Sequence, residues 1–288
     1  MTAVKLGFEY WNEAHDFPLH IFDIHELYGK KFVVYNGNKS YRFDFSILGD
    51  DGFYYYDGTG VRQDLDLTDF RLFDYGKEGC LLRDSDNKMC IKIFHRMMMD
   101  VDTAKQLSEI PSQKGLMLLE HSIFNNENRF SGFTNPYMAP IDNLYDFKCH
   151  AFIDYYKHIQ EALKVLGLNY GVLADDILSV NFLFTDNEML LHDPGDYRIL
   201  HGMNPRVVAA ANMLNLDTAI PRVYGKILLD CATVLDGSVP IRGDDGLIAE
   251  ARSAPSKIEY FERELGSFET FPDYLCNKYP RLVKISGK

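Results

Sequence analysis

The hydrophobic period of this chain changes near residue 141, and that change limits the available folds more than any other feature. Before it, apolar residues come in short runs between turn residues. After it, in the stretch 144–169, Phe147, Phe152, Tyr155, Ile159, Ala162, Leu163 and Leu166 recur every three to four residues, which is one face of a helix. The spacing predicts a long amphipathic helix over 144–169, ended near Gly167. A strand-rich first half and a helical second half make an α+β fold of two lobes, with a cleft expected between them.

The strand signals can be placed one by one. KFVVY (31–35), an Asn-Gly turn and SYRFDF (40–45) predict a hairpin. GFYYYDG (52–58) predicts another strand, and 64–70 alternates polar and apolar residues. Residues 1–70 therefore read as a β-rich N-terminal extension. The stretch 71–94 reads as two strands around Asp84-Ser85-Asp86-Asn87, and 101–110 as a helix capped by Asp102 and stopped by Pro111. A strand pair is expected over 115–125 and 131–138. Two short apolar runs at 180–185 and 188–193, joined by Asp186-Asn187, predict a tight hairpin, and helices are expected at 206–215, 222–237 and 256–268.

Composition narrows the function. With 288 residues and 46% hydrophobic residues, the chain can bury a sizeable core. A formal charge of −12 disfavours a broad nucleic-acid face, because it repels phosphate backbones. The odd set of five cysteines contains no CxxC pair, so reduced buried thiols are expected rather than a disulfide frame or zinc site. No stretch reaches the roughly 18 apolar residues of a membrane span, and the first residues lack a signal-peptide pattern. A soluble cytoplasmic protein is expected, with export by a route that leaves no such mark still open.

Chemistry-bearing residues cluster late in this frame. Lys92 sits in an apolar strand, where it either faces water from a sheet edge or is held out to meet phosphate. Gly76 and Gly79, three apart between strands, suit a loop whose N–H groups approach phosphate, although such pairs also make ordinary turns. Asp176 stands five residues before Asn181, and Asp193-Pro194-Gly195 follows twelve residues after Asn181. Taken singly these are helix-cap and turn residues. Together, in this order, they supply what phosphoryl transfer needs. One carboxylate orients the nucleophile, while a second carboxylate and an amide oxygen hold Mg²⁺ on the phosphates. The hairpin between them brings Asn181 and Asp193 together at its open end.

On these residues the chain resembles the protein-kinase superfamily over roughly 71–240. Cys90-Ile91-Lys92 resembles the A-x-K strand, Ala174-Asp175-Asp176 with Asn181 the catalytic loop, Asp193-Pro194-Gly195 the D-F-G motif, and residues 131–138 the strand leading into the adenine-binding hinge. The resemblance implies a two-lobed protein-kinase-like fold, with an N-lobe at 71–140 and a helical C-lobe at 141–288. It implies ATP and Mg²⁺ as cofactors. Lys92 would pair with the α/β-phosphates and Asp176 would be the catalytic base. Asn181 and Asp193 would bind metal, Gly76 and Gly79 would cover phosphate, and Glu109 is the candidate partner of Lys92. The implied activity is a phosphotransferase, a divergent serine/threonine protein kinase.

The departures from the pattern define the alternatives. Ala174 stands where the catalytic loop has His, Leu178 where many kinases have a phosphate-contacting Lys, and Pro194 where D-F-G has Phe. No clear A-P-E follows, and Arg222 stands where an Asp commonly anchors the catalytic loop. A pseudokinase acting as a nucleotide- or partner-binding module, a small-molecule kinase and an AMP transferase all stay open, as does a partner-binding role for the extension. The nine histidines show no ligand spacing, and Met97-Met98-Met99 reads as packing.

Overall fold

The computed structural model describes residues 21–27, 30–35, 52–66, 70–75, 79–84, 86, 88–186 apart from 95–98, 188–236 and 246–284. For 21–27, 30–35, 71–75, 236 and 283–284 it describes the backbone alone. Gly76, the expected strand 40–45, Met97, Met98, His15 and His20 lie outside the described residues. The chain is α+β and divides into two units. The first comprises residues 1–110 and 119–138, the second 111–118 and 139–288.

The first unit is built on strands. β1 (Ile21–Leu27) pairs antiparallel with β2 (Lys30–Tyr35), so the run expected to pair with 40–45 pairs with the residues before it. Seven further strands make one antiparallel sheet: β3 (Phe53–Tyr56), β4 (Arg62–Leu65), β5 (Phe70–Tyr75), β6 (Gly79–Asp84), β7 (Met89–Phe94), β8 (His121–Asn125) and β9 (Phe130–Pro136). Their order is β4-β3-β8-β9-β7-β6-β5. Two results follow for the expected boundaries. The stretch 70–94 holds three strands rather than two, because β5 and β6 pair antiparallel with each other, Tyr75 opposite Cys80, and β6 pairs in turn with β7. The strands at 53–56 and 62–65, within the stretch read as the extension, hydrogen-bond into the main sheet through Tyr54↔Phe124.

Helix α1 (Val101–Ser108) packs on this sheet through buried Ala104 and Leu107, and the Ser122 hydroxyl donates to the Ala104 carbonyl at 3.0 Å. Its cap is Asp100, not Asp102. The Asp100 carboxylate accepts from the Thr103 N–H at 2.8 Å and the Thr103 hydroxyl at 2.7 Å. Asp102 instead lies in the first turn, where a carboxylate suits the positive end of the helix.

In the second unit, α2 (Cys149–Tyr170) follows the predicted period. It ends four residues beyond Gly167, at Gly171, whose φ of 64° is the left-handed cap. Gly167 has a different task. A Cβ there would meet the Ala209 Cα and N, each 2.5 Å away, so the glycine lets α2 and α3 cross closely. Helix α3 (Pro205–Cys231) joins the two helices expected at 206–215 and 222–237. Pro221 lies inside it. Proline removes one backbone donor, but this stretch is buried on both sides of it, at Ala219, Ile220, Val223 and Tyr224, and tertiary packing outweighs local propensity.

The short strands β10 (Val172–Ala174), β11 (Phe182–Phe184), β12 (Met189–Leu191) and β13 (Tyr197–Ile199) lie between α2 and α3 in sequence. After α3 come β14 (Leu235–Asp236), α4 (Leu247–Ser253), α5 (Lys257–Leu265), α6 (Phe271–Lys278) and β15 (Val283–Lys284). An aromatic cluster binds these helices to α2, with the Phe152 ring centroid 5.0 Å from Phe261 and 5.7 Å from Phe271, both edge-on. Among the described residues no helix is long and apolar enough to cross a membrane.

Candidate functional site

Three of the sequence-predicted residues meet within the second unit, and strand pairing brings them there. β10 pairs with β13 so that Ala174 lies opposite Tyr197. The chain leaves β10 toward Asp175 and Asp176, and it enters β13 from Asp193, so both carboxylate segments sit at one end of the pair. β11 and β12 form the predicted hairpin, Phe182↔Leu191 to Phe184↔Met189. One more ladder bond extends it, from the His192 N–H to the Asn181 carbonyl at 2.9 Å. That bond places Asn181 opposite the residue before Asp193.

Main-chain and side-chain bonds then fix the loop 176–181. The Leu178 N–H donates to the Asp176 carbonyl at 3.1 Å, and the Asn181 N–H to the Leu178 carbonyl at 3.0 Å. Asn181 is 7% exposed, and its side-chain Nδ2 donates to the Asp176 carbonyl at 2.8 Å, with Asp176 Oδ2 at 3.4 Å. An amide whose nitrogen is committed in this way leaves its oxygen as the acceptor on the other side. Asp193 is half-buried and has φ 66° and ψ 66°. A non-glycine residue in this left-handed region costs on the order of 1 kcal/mol, and such strain concentrates at functional sites. Burial, and then the charges of Asp193 and Asp176, push the Tyr197 phenol up from its ordinary value. The two carboxylates thus act on one buried ring.

This set fits Mg²⁺ by donor chemistry. A carboxylate and an amide oxygen are hard donors, and the field sensed by Tyr197 is negative. Among the described residues no group of three or more His, Cys, Asp or Glu gathers as a metal cage. A cation carried largely by substrate phosphates and water needs only one or two protein carboxylates.

The remaining predicted residues lie in the first unit. Lys92 is on β7, between β6 and β9 in the sheet, paired with Leu81 and Phe133. It is 8% exposed, and its ammonium lies 5.2 Å from the Phe94 ring centroid. The wet face of an edge strand is therefore not its position, and a lysine is seldom this buried unless it is paired. Gly79 opens β6, where a Cβ would collide with the Ile93 carbonyl oxygen on β7. Close strand approach accounts for that glycine without phosphate. Glu109 is exposed at the C-cap of α1, and its carboxylate makes no ion pair with Lys92 among the described contacts.

Sequence reasoning missed the anchor of the loop. Asn212 of α3 is fully buried. Its Nδ2 donates to the Leu163 and Val172 carbonyls at 3.1 and 2.9 Å, and its Oδ1 accepts from the Ala174 N–H at 2.8 Å. Asn215 Nδ2 donates to the Ala174 carbonyl at 2.9 Å. Two amides thus hold both polar main-chain groups of the residue two before Asp176, while Arg222 lies exposed farther along the helix. In sequence these are two asparagines of a helical run, with no local signal. The Asp175 carboxylate pairs with Arg198 at 2.9 Å, cross-linking β10's exit to β13. No protein-family model and no curated protein matches the chain.

Proposed function

We propose that this chain is an ATP- and Mg²⁺-dependent phosphotransferase of the protein-kinase-like type, acting on a serine or threonine hydroxyl of a protein. The observation that carries the reading is the loop 176–181. Its buried Asn181 clamps Asp176 and stands opposite His192, next to Asp193 in its left-handed conformation. In this reading Asp176 accepts the hydroxyl proton as the oxygen attacks the γ-phosphorus, the bond from that phosphorus to the β,γ-bridging oxygen breaks, and ADP leaves with the bonding pair. The Asn181 amide oxygen and the Asp193 carboxylate would hold the metal, which would supply positive charge against that developing on the phosphate oxygens. The role of Lys92 toward the α/β-phosphates rests on the sequence resemblance alone. The Asn181 bond to the Asp176 main chain keeps the base from drifting, and a fixed base is what makes proton transfer efficient.

The test is direct. The purified chain is incubated with Mg²⁺-ATP and a mixed protein acceptor, and products are read by mass spectrometry. Phosphoryl transfer that Asp176→Ala and Asp193→Ala each abolish supports the proposal. An adenylyl increment in place of a phosphoryl one overturns the reaction assigned. Nucleotide-dependent thermal stabilisation with no transfer of either kind leaves a binding module, and overturns the enzyme reading.

A further inference from the structure

A second site stands out in the first unit. The last turn of α1, the end of β3 and strand β8 enclose a cavity of about 480 Å³, within the ordinary range of small-ligand sites. The proposed transfer makes no use of it. Its aromatic wall is Tyr56, 46% exposed, and Phe124, with ring centroids 6.4 Å apart. Glu109 and Glu120 bring two exposed carboxylates to its lining, and neither carboxylate has a hydrogen bond or ion pair among the described residues. The C-terminal end of α1 adds the partial negative charge of its carbonyls.

Of the other polar groups in the lining, the side chains of Asp57, Ser108 and Ser122 are hydrogen-bonded within the protein, and the His121 ring stacks on Tyr55 with centroids 5.0 Å apart. The Asp57 carboxylate accepts from Thr59, Val61 and Gln63, and the Ser122 hydroxyl is bonded to Ala104. The lysine of the lining, Lys105, lies with its ammonium 5.9 Å from the Phe124 ring centroid, so this wall already takes a cation on its face. An anionic ligand would meet carboxylates and a helix C-terminus. A neutral apolar one would desolvate two carboxylates with nothing in return.

We propose that this cavity binds a small organic cation, an ammonium or guanidinium on a short apolar stem. Glu109 and Glu120 take the charge, and Tyr56 and Phe124 cover the stem. Binding would brace α1 against β8 beside the Ser122–Ala104 bond.

Agmatine, which carries both cationic groups on a four-carbon stem, is the probe, titrated into the full chain by calorimetry. One-to-one binding that weakens about tenfold in Glu109→Gln/Glu120→Gln is expected, as two part-exposed ion pairs are lost. Tyr56→Ala should weaken it as well, and glutamate should not compete. All three side chains are exposed, so the variants keep the native circular dichroism and melting profile, and Glu120→Gln alone serves if the double variant does not. Asp193→Ala should bind agmatine unchanged, which separates this site from the phosphotransfer reading. No heat or stabilisation at about 5 mM agmatine, or binding indifferent to the carboxylate variants, overturns the proposal.

Discussion

The side-chain nitrogen of Asn181 donates to the main-chain carbonyl of Asp176 across five residues, at 2.8 Å. One amide thereby has two tasks in the proposed mechanism, since its nitrogen fixes the base and its oxygen is left for metal. Asn181→Ala should therefore lower transfer by about 10²–10⁴-fold, as does loss of a positioned acid–base group, and should weaken the Mg²⁺ dependence of nucleotide binding. Asn181→Asp keeps an oxygen for metal but loses the donor. It should retain nucleotide-dependent stabilisation and lose turnover. Equal kcat in wild type and Asn181→Ala would sink the assignment.

Asn212 tests the anchor. Asn212→Ala leaves the Ala174 N–H and the Leu163 and Val172 carbonyls without their partner in a fully buried place. An unsatisfied buried group costs about 1–3 kcal/mol, so the summed loss should be on the order of 3 kcal/mol in urea unfolding of the whole chain. Asn212→Asp keeps the acceptor for Ala174 but removes both donated bonds and buries a charge, and should be no better. A loss below about 0.5 kcal/mol for both variants would show that the loop is held elsewhere.

Gly167 governs the helix crossing. Gly167→Ala would improve helix propensity by about 1 kcal/mol in isolation. Here the added carbon meets the Ala209 backbone at 2.5 Å, and overpacking of this kind costs about 1–3 kcal/mol. Net destabilisation is expected from thermal melts, larger still for Gly167→Val. A rise in Tm would show that α2 and α3 separate more easily than their packing suggests.

Asp57 gives a pH dependence. Bonds from the Thr59 hydroxyl first, then from Gln63, the Val61 N–H and the Thr59 N–H, hold its carboxyl below the ordinary 3.8. With the folded-state pKa depressed, the stabilisation is fully present above the unfolded value. It is lost as pH falls from about 4 toward the lower folded value. Carbon-detected NMR titration should find the Asp57 inflection well below 3.8. Asp57→Asn should flatten that part of the acid-unfolding curve. An inflection at the ordinary value would mean the turn does not hold the carboxylate.

Much of the site was legible because its parts are close in the chain. Asp176, Asn181 and Asp193 are joined by a tight hairpin, read from two short apolar runs on either side of a turn signal. Lys92 was legible as a strand lysine, but one strand does not reveal its neighbours. Its place between β6 and β9 comes from pairings with residues 79–83 and 132–136. Asp102 was the wrong cap by two residues, because either aspartate satisfies the pattern and only the backbone conformation at Asp100 lets its carboxylate reach the Thr103 N–H.

By itself the sequence determined the α+β division, the long helix expected over 144–169, which the structure starts five residues later at Cys149, and the hairpin that carries the carboxylates. These follow from hydrophobic period and turn chemistry over fewer than about thirty residues. Tertiary structure decided what depends on partners distant in the chain. It recruited β3 to β8 across more than sixty residues, and it continued α3 through Pro221 because the surrounding turns are buried. It also placed Asn212 under Ala174, where an amide 38 residues away satisfies the main chain that leads to Asp176. A buried polar group must find a partner somewhere, and only the folded packing decides which residue supplies it.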